Sequence, residues 1–226
     1  MITNKYRTCF NKLMFFKIFI FILFFIKSSY AHELRPAIAN LNIYEEDNIT
    51  NVTLSIRLNL EAIIAEVDIN HSNTKESKQS DQYESLRNMS AVELLEKFNS
   101  KIINLQNKIY LTSTNSNYNL VLLNIDIPEV GNTNVARDTI IDFDIKNIKD
   151  EDLKFSWDKN LGSIILRVNS PNNEDLYSKL IESGKKSDWF NPKNKKQVDF
   201  FDNIKSYTHL GFKHIIPKGL DHILFV

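Results

Sequence analysis

From Asn51 to Asn59 the chain reads NVTLSIRLN: Val52, Leu54, Ile56 and Leu58 share one face, and Thr53, Ser55, Arg57 and Asn59 the other. A period of two is the pattern of a strand buried on one side. Ala39 to Tyr44 (ANLNIY) repeats it with Leu41 and Ile43. Further strands are predicted over 109–112, 120–127, 139–145, 153–157 and 163–168. Turn formers separate them: Asn115-Ser116-Asn117, Pro128 with Gly131, Lys149-Asp150-Glu151 and Asn160-Leu161-Gly162. Residues 60–67 are apolar but less periodic and read as a strand running into a loop, and the polar residues 70–82 read as a loop. At Ser90 the period changes: Ala91, Leu94, Leu95, Phe98, Ile102 and Leu105 recur at three and four, which predicts one amphipathic helix over 90–106. Ser90 is its N-cap, and Glu93 completes a capping box. The pattern as a whole predicts a mainly β fold, an antiparallel β-sandwich-like domain with one inserted helix, over residues 32–190.

Two apolar segments fall outside that pattern. Residues 14–26 (MFFKIFIFILFFI) follow a basic, polar start, and Ser29-Tyr30-Ala31 places small residues at the −3 and −1 positions of a cut before His32. This is the plan of a secretory signal peptide, and the run is short for an uncleaved anchor. Residues 191–199 (NPKNKKQVD) read as a polar linker, and Phe200 to His209 as an amphipathic, aromatic segment suited to a membrane surface. Leu210 to Val226 (LGFKHIIPKGLDHILFV) grows steadily more apolar over 17 residues. The choice is between a buried C-terminal helix and the first part of a transmembrane helix in a truncated chain; the second is expected, because ionisable groups within an apolar run mark function in lipid.

Charge and cysteine use narrow the function classes. Residues 1–31 hold five basic residues and no acid, leaving 23 basic against 28 acidic residues after the leader. An acidic domain without a basic stripe argues against nucleic-acid binding. Cys9, the only cysteine, lies in the leader, so the exported part has neither a disulfide nor a thiolate metal site. Residues 32–190 contain no nucleophile elbow, phosphate loop or paired metal-ligand spacing, and no enzymatic activity is expected of them. His71 reads as a solvated loop residue, Trp157 and Trp189 as core or edge aromatics, and Arg35 and Arg137-Asp138 as strand-edge or ion-pair positions.

The candidate chemistry belongs to metals. Cleavage after Ala31 would make His32 a terminal residue whose α-amine and imidazole form a chelating pair for copper or nickel, with Glu33 able to add an oxygen; the plainer alternative is that His32 begins the first strand. His214, Asp221 and His222 offer two imidazoles and a carboxylate, a set suited to Ni²⁺, Co²⁺ or Zn²⁺. On a regular helix Asp221 lies ~10.5 Å along the axis from His214, too far to share an ion. Either Pro217 and Gly219 break the helix between them, or Asp221 and His222 share an ion with ligands from other helices and His214 serves as a gate or supports those ligands from behind. The alternative without metal has Asp221 and His222 hydrogen-bonding neighbouring helices.

Taken together, His32-Glu33-Leu34-Arg35-Pro36-Ala37 and Gly211 to Val226 (GFKHIIPKGLDHILFV) resemble the HupE/UreJ family of membrane proteins, in the branch with a large extracytoplasmic domain before its membrane helices. Residues 57–62 (RLNLEA), Ala136-Arg137-Asp138 and Leu161-Gly162 before a strand add to the likeness. The resemblance implies a periplasmic domain followed by several transmembrane helices, with a role in uptake of nickel or a similar divalent metal as substrate. It leaves open whether the domain captures metal or docks an extracytoplasmic protein partner. Two other readings stand beside it: a metal-dependent membrane hydrolase, and a membrane-anchored extracytoplasmic binding module without transport.

Overall fold

Alternating burial along the strands sets the architecture. In the computed structural model, which describes residues 35–67, 77–133, 135–172 and 175–193, β1 (Ala37–Glu46) and β2 (Ile49–Leu58) form an antiparallel hairpin. Asp47 and Asn48 between them take φ of 51° and 62°. Two successive left-handed residues match the twist of flanking strands, and Asp and Asn tolerate that region best after glycine. The face expected to be inward is inward: Val52, Leu54 and Ile56 are fully buried and Leu58 nearly so.

The chain then enters four short helices: α1 (Leu60–Ala65), α2 (Ser80–Arg87), α3 (Ala91–Asn99) and α4 (Ile102–Gln106). Seven strands follow: β3 (Ile109–Ser113), β4 (Asn117–Tyr118), β5 (Val121–Asp126), β6 (Thr139–Ile148), β7 (Leu153–Trp157), β8 (Ile164–Asn169) and β9 (Asp175–Ile181). They form a six-stranded sheet of order β5-β6-β2-β1-β8-β9 and a three-stranded antiparallel sheet of order β4-β3-β7. Residues 186–190 continue the smaller sheet beside β7, through antiparallel bridges Ser156–Lys186 and Leu153–Phe190. Side chains from both sheets and from α1–α4 share one hydrophobic core, with Phe143, Phe155, Phe98 and Tyr83 among its largest members.

Four expectations need correction. The large sheet is mixed: β1 and β8 run parallel, Ala37 opposite Ile164 through Asn42 opposite Asn169. Segment pairing across more than a hundred residues leaves no mark in local periodicity. Residues 60–65 form a helix where a strand was expected, because Asn59 caps it, accepting from the Ala62 N–H at 3.0 Å. The single helix over 90–106 is two, with the capping box at Ser90 and Glu93 in place. The break falls at Ser100-Lys101, where Lys101 Nζ reaches Ile64 O at 3.0 Å and Glu66 Oε1 at 2.9 Å. α2 adds a helix that begins inside the segment expected to be loop.

Candidate functional site

At one end of the six-stranded sheet four parts of the chain arrive together. β1 and β8 begin there side by side, β2 ends there, and β6 begins there with Thr139 opposite Leu58. The flanking residues are tied across the strands. Ala37 N–H donates to Ser163 O at 3.2 Å, and Trp157 Nε1 donates to Gly162 O at 2.9 Å. Gly162 has φ of 87°, a conformation that glycine adopts without steric cost. Asp138 lies 3.9 Å from both Arg35 and Arg57, all three partly exposed.

The centre of this end is Arg137. Its Nε donates to Glu61 Oε1 at 2.8 Å, Nη1 to Pro128 O at 3.1 Å, and Nη2 to Met89 O at 3.0 Å and Arg87 O at 3.3 Å, with Leu86 O at 3.5 Å. The Arg137 side chain is 8% exposed and that of Glu61 1%, so this is a buried ion pair. The carbonyls it takes close the C-terminal end of α2, where unpaired acceptors and the helix dipole favour a cation. A planar guanidinium can satisfy several acceptors at once, which a lysine ammonium in that place could not do in the same geometry. Asn59 starts α1 and so sets Glu61 in its first turn; Asn59 Nδ2 also donates to Tyr83 Oη at 2.8 Å. Arg87 lies over the Tyr83 ring, 5.4 Å from its centroid, donates to Val135 O at 3.1 Å and pairs with Glu84 at 3.5 Å. Burial pushes the Tyr83 hydroxyl above the ordinary tyrosine range, against the pull of Asn59 and Arg87. Two buried oxygens, Glu61 Oε2 and Thr139 Oγ1, have no hydrogen-bond partner among the described residues.

This arrangement clamps backbone. Arg137 holds α1, α2 and the 127–138 connection against the sheet end, and its donors are directed at carbonyls and one carboxylate. Among the described residues no group of three His, Cys, Asp or Glu side chains is placed to hold a metal ion, and no helix is long and apolar enough to cross a membrane. The candidates from sequence, His32, Glu33, His214, Asp221 and His222, lie outside the described residues, as do His71, His209 and Cys9. Of the residues singled out from sequence, Arg35, Arg137 and Asp138 are ion-pair positions as expected, Trp157 is a core aromatic and Trp189 is half-exposed. Glu61, Asn59, Tyr83 and Arg87 were not foreseen; the one available signal was a carboxylate inside the apolar run LEAIIA.

The chain matches no model of a known protein family, and no curated protein matches it.

Proposed function

We propose that the chain is the extracytoplasmic domain, with the start of the membrane region, of a HupE/UreJ-like protein that acts in uptake of a divalent metal such as nickel. One observation supports this reading. Arg35-Pro36-Ala37, residues 57–62 and Ala136-Arg137-Asp138, three of the stretches that carry the resemblance within the domain, meet at one end of the sheet and bond to one another there; Leu161-Gly162, the fourth, leads into β8, and its neighbour Ser163 accepts from the Ala37 N–H. Short stretches scattered along a chain are weak singly; stretches that build one contiguous unit support a likeness of fold. The common core of the two sheets supports a sandwich-like arrangement of the same domain.

On this reading residues 1–31 are an export signal, residues 32–209 face the periplasm, and residues 210–226 enter the membrane. Asp221 and His222 would bind the travelling ion together with ligands from further membrane helices, and His214 would line its path. His32, freed by cleavage, would offer a first contact for metal outside the membrane.

The test is nickel accumulation in cells expressing the gene at full length. Accumulation above that of vector controls, lost on Asp221→Ala or His222→Ala, is expected. Accumulation equal to the controls overturns the uptake reading. A tightly held ion and substrate turnover without accumulation would instead identify a hydrolase, and function intact in Asp221→Ala a binding module.

A further inference from the structure

The outward face of the three-stranded sheet is unlike the rest of the domain. Alternation along β3 and β7 directs Tyr110, Thr112, Lys154 and Ser156 away from the core, with Tyr110 beside Ser156 and Thr112 beside Lys154. Residues 186–190 extend this face, adding exposed Lys186 and Trp189. Tyr110 is 48% exposed and Trp189 44%, and Lys154 Nζ lies 4.2 Å from the Trp189 ring centroid. None of these six is acidic, and Asp188, the exposed acid within residues 186–190, is paired with Lys179 at 2.9 Å. The lysines continue in sequence: residues 184–196 (GKKSDWFNPKNKK) hold five lysines and one acid, in a chain whose residues 32–226 carry an excess of acid.

Two half-exposed aromatics beside lysines are the side chains that favour the headgroup layer of a bilayer. Tryptophan and tyrosine place an apolar ring and a polar tip at that depth, and lysine stems lie along apolar surface while their ammonium groups meet anionic phosphates. The chain places the face close to where such a surface would be. Only residues 194–199 separate Lys193 from Phe200-Phe201, the start of the amphipathic segment. That stretch can reach about 25 Å when fully extended.

We infer that this face, with Tyr110, Lys154, Lys186 and Trp189 at its centre, is the surface on which the domain rests against an anionic lipid bilayer. The inference depends on the reading that residues 210–226 enter a membrane. The rest of the exported chain, acidic overall, would be repelled by the same lipids, so charge orients the domain with this sheet toward the membrane.

The experiment places the full chain in vesicles of phosphatidylcholine with or without phosphatidylglycerol. Trp189 is followed as the difference between the unaltered chain and Trp189→Phe, since Trp157, the other tryptophan, is buried. With phosphatidylglycerol present, Trp189 emission should shift to the blue, lose quenching by acrylamide and gain quenching by lipids brominated near the headgroup. Lys154→Glu with Lys186→Glu, or high salt, should reverse all three. Trp189 equally open to acrylamide with and without anionic lipid, in a chain that floats with the vesicles, overturns this inference alone. A chain that does not float with vesicles overturns the membrane reading beneath it as well. Protection that follows protein concentration and ignores lipid composition assigns the face to a second copy of the chain and also overturns the inference.

Discussion

Arg137 lies just before the first residue of β6 and Lys146 near its last turn of alternation, so one strand presents a cation at each end of the same sheet. Their surroundings differ throughout. Arg137 is buried, bound to a buried carboxylate and directed at a ring of carbonyls. Lys146 is half in solvent, where it donates to Tyr44 Oη at 2.6 Å and lies 3.2 Å from Asp144 and 3.4 Å from Glu46. Tyr44, first, and then the two carboxylates hold its ammonium protonated well above the ordinary lysine range. At the exposed end water can replace any partner that is removed. At the buried end it cannot, and each lost partner leaves a charge or a carbonyl stranded. Similar ion-pair chemistry therefore anchors the fold at one end and decorates it at the other.

The largest effect should come from breaking the buried end. Arg137→Ala strands Glu61 and frees the carbonyls at the end of α2, and should cost about 3–5 kcal/mol of unfolding free energy in urea titration. Arg137→Lys should recover only part of the loss, because an ammonium cannot reproduce the fork. At the exposed end Lys146→Met should cost far less, with a difference that shrinks as salt is added. A still smaller effect sharpens the contrast in a carboxylate bound by neutral donors. In the β6–β7 turn Glu151 accepts from Ser113 Oγ at 2.7 Å, Tyr118 Oη at 3.0 Å and Asn115 Nδ2 at 3.5 Å, and these bonds, Ser113 first, hold its carboxyl below the usual range. A depressed folded-state pKa contributes stability above the unfolded carboxylate value and loses it as pH falls through the folded one. Thermal midpoints of the unaltered chain and Glu151→Gln should therefore differ slightly at neutral pH and converge in acid.

Much of this fold was legible from alternation, and the exceptions have physical causes. β1, β2, β6, β7 and β8 are buried on one face only, so their sequences carry the period of two openly. β9 (DLYSKLI) buries Leu176, Tyr177 and Ile181, which do not alternate, and its strand character comes from pairing with β8. α1 is six residues long, too short for helical spacing to declare itself, and α2 buries only Tyr83, Leu86 and Arg87 in an otherwise polar sequence. The Arg137–Glu61 pair was half legible: an ion-pair role for Arg137 could be read, but its partner lies 76 residues away and is brought near by the β2–β6 register. A glutamate among Leu60, Ala62, Ile63 and Ile64 is a small anomaly in sequence and a large one in energy.

That Arg137 and Glu61 clamp residues 57–62 to the start of β6 is tested most directly by a double-mutant cycle. Arg137→Met, Glu61→Met and the double variant would be compared with the unaltered chain by urea unfolding. The two positions should couple by about 3 kcal/mol, with the double variant losing no more than Arg137→Met alone. Losses that add to within about 0.5 kcal/mol would mean that the two residues act independently, and would contradict the clamp.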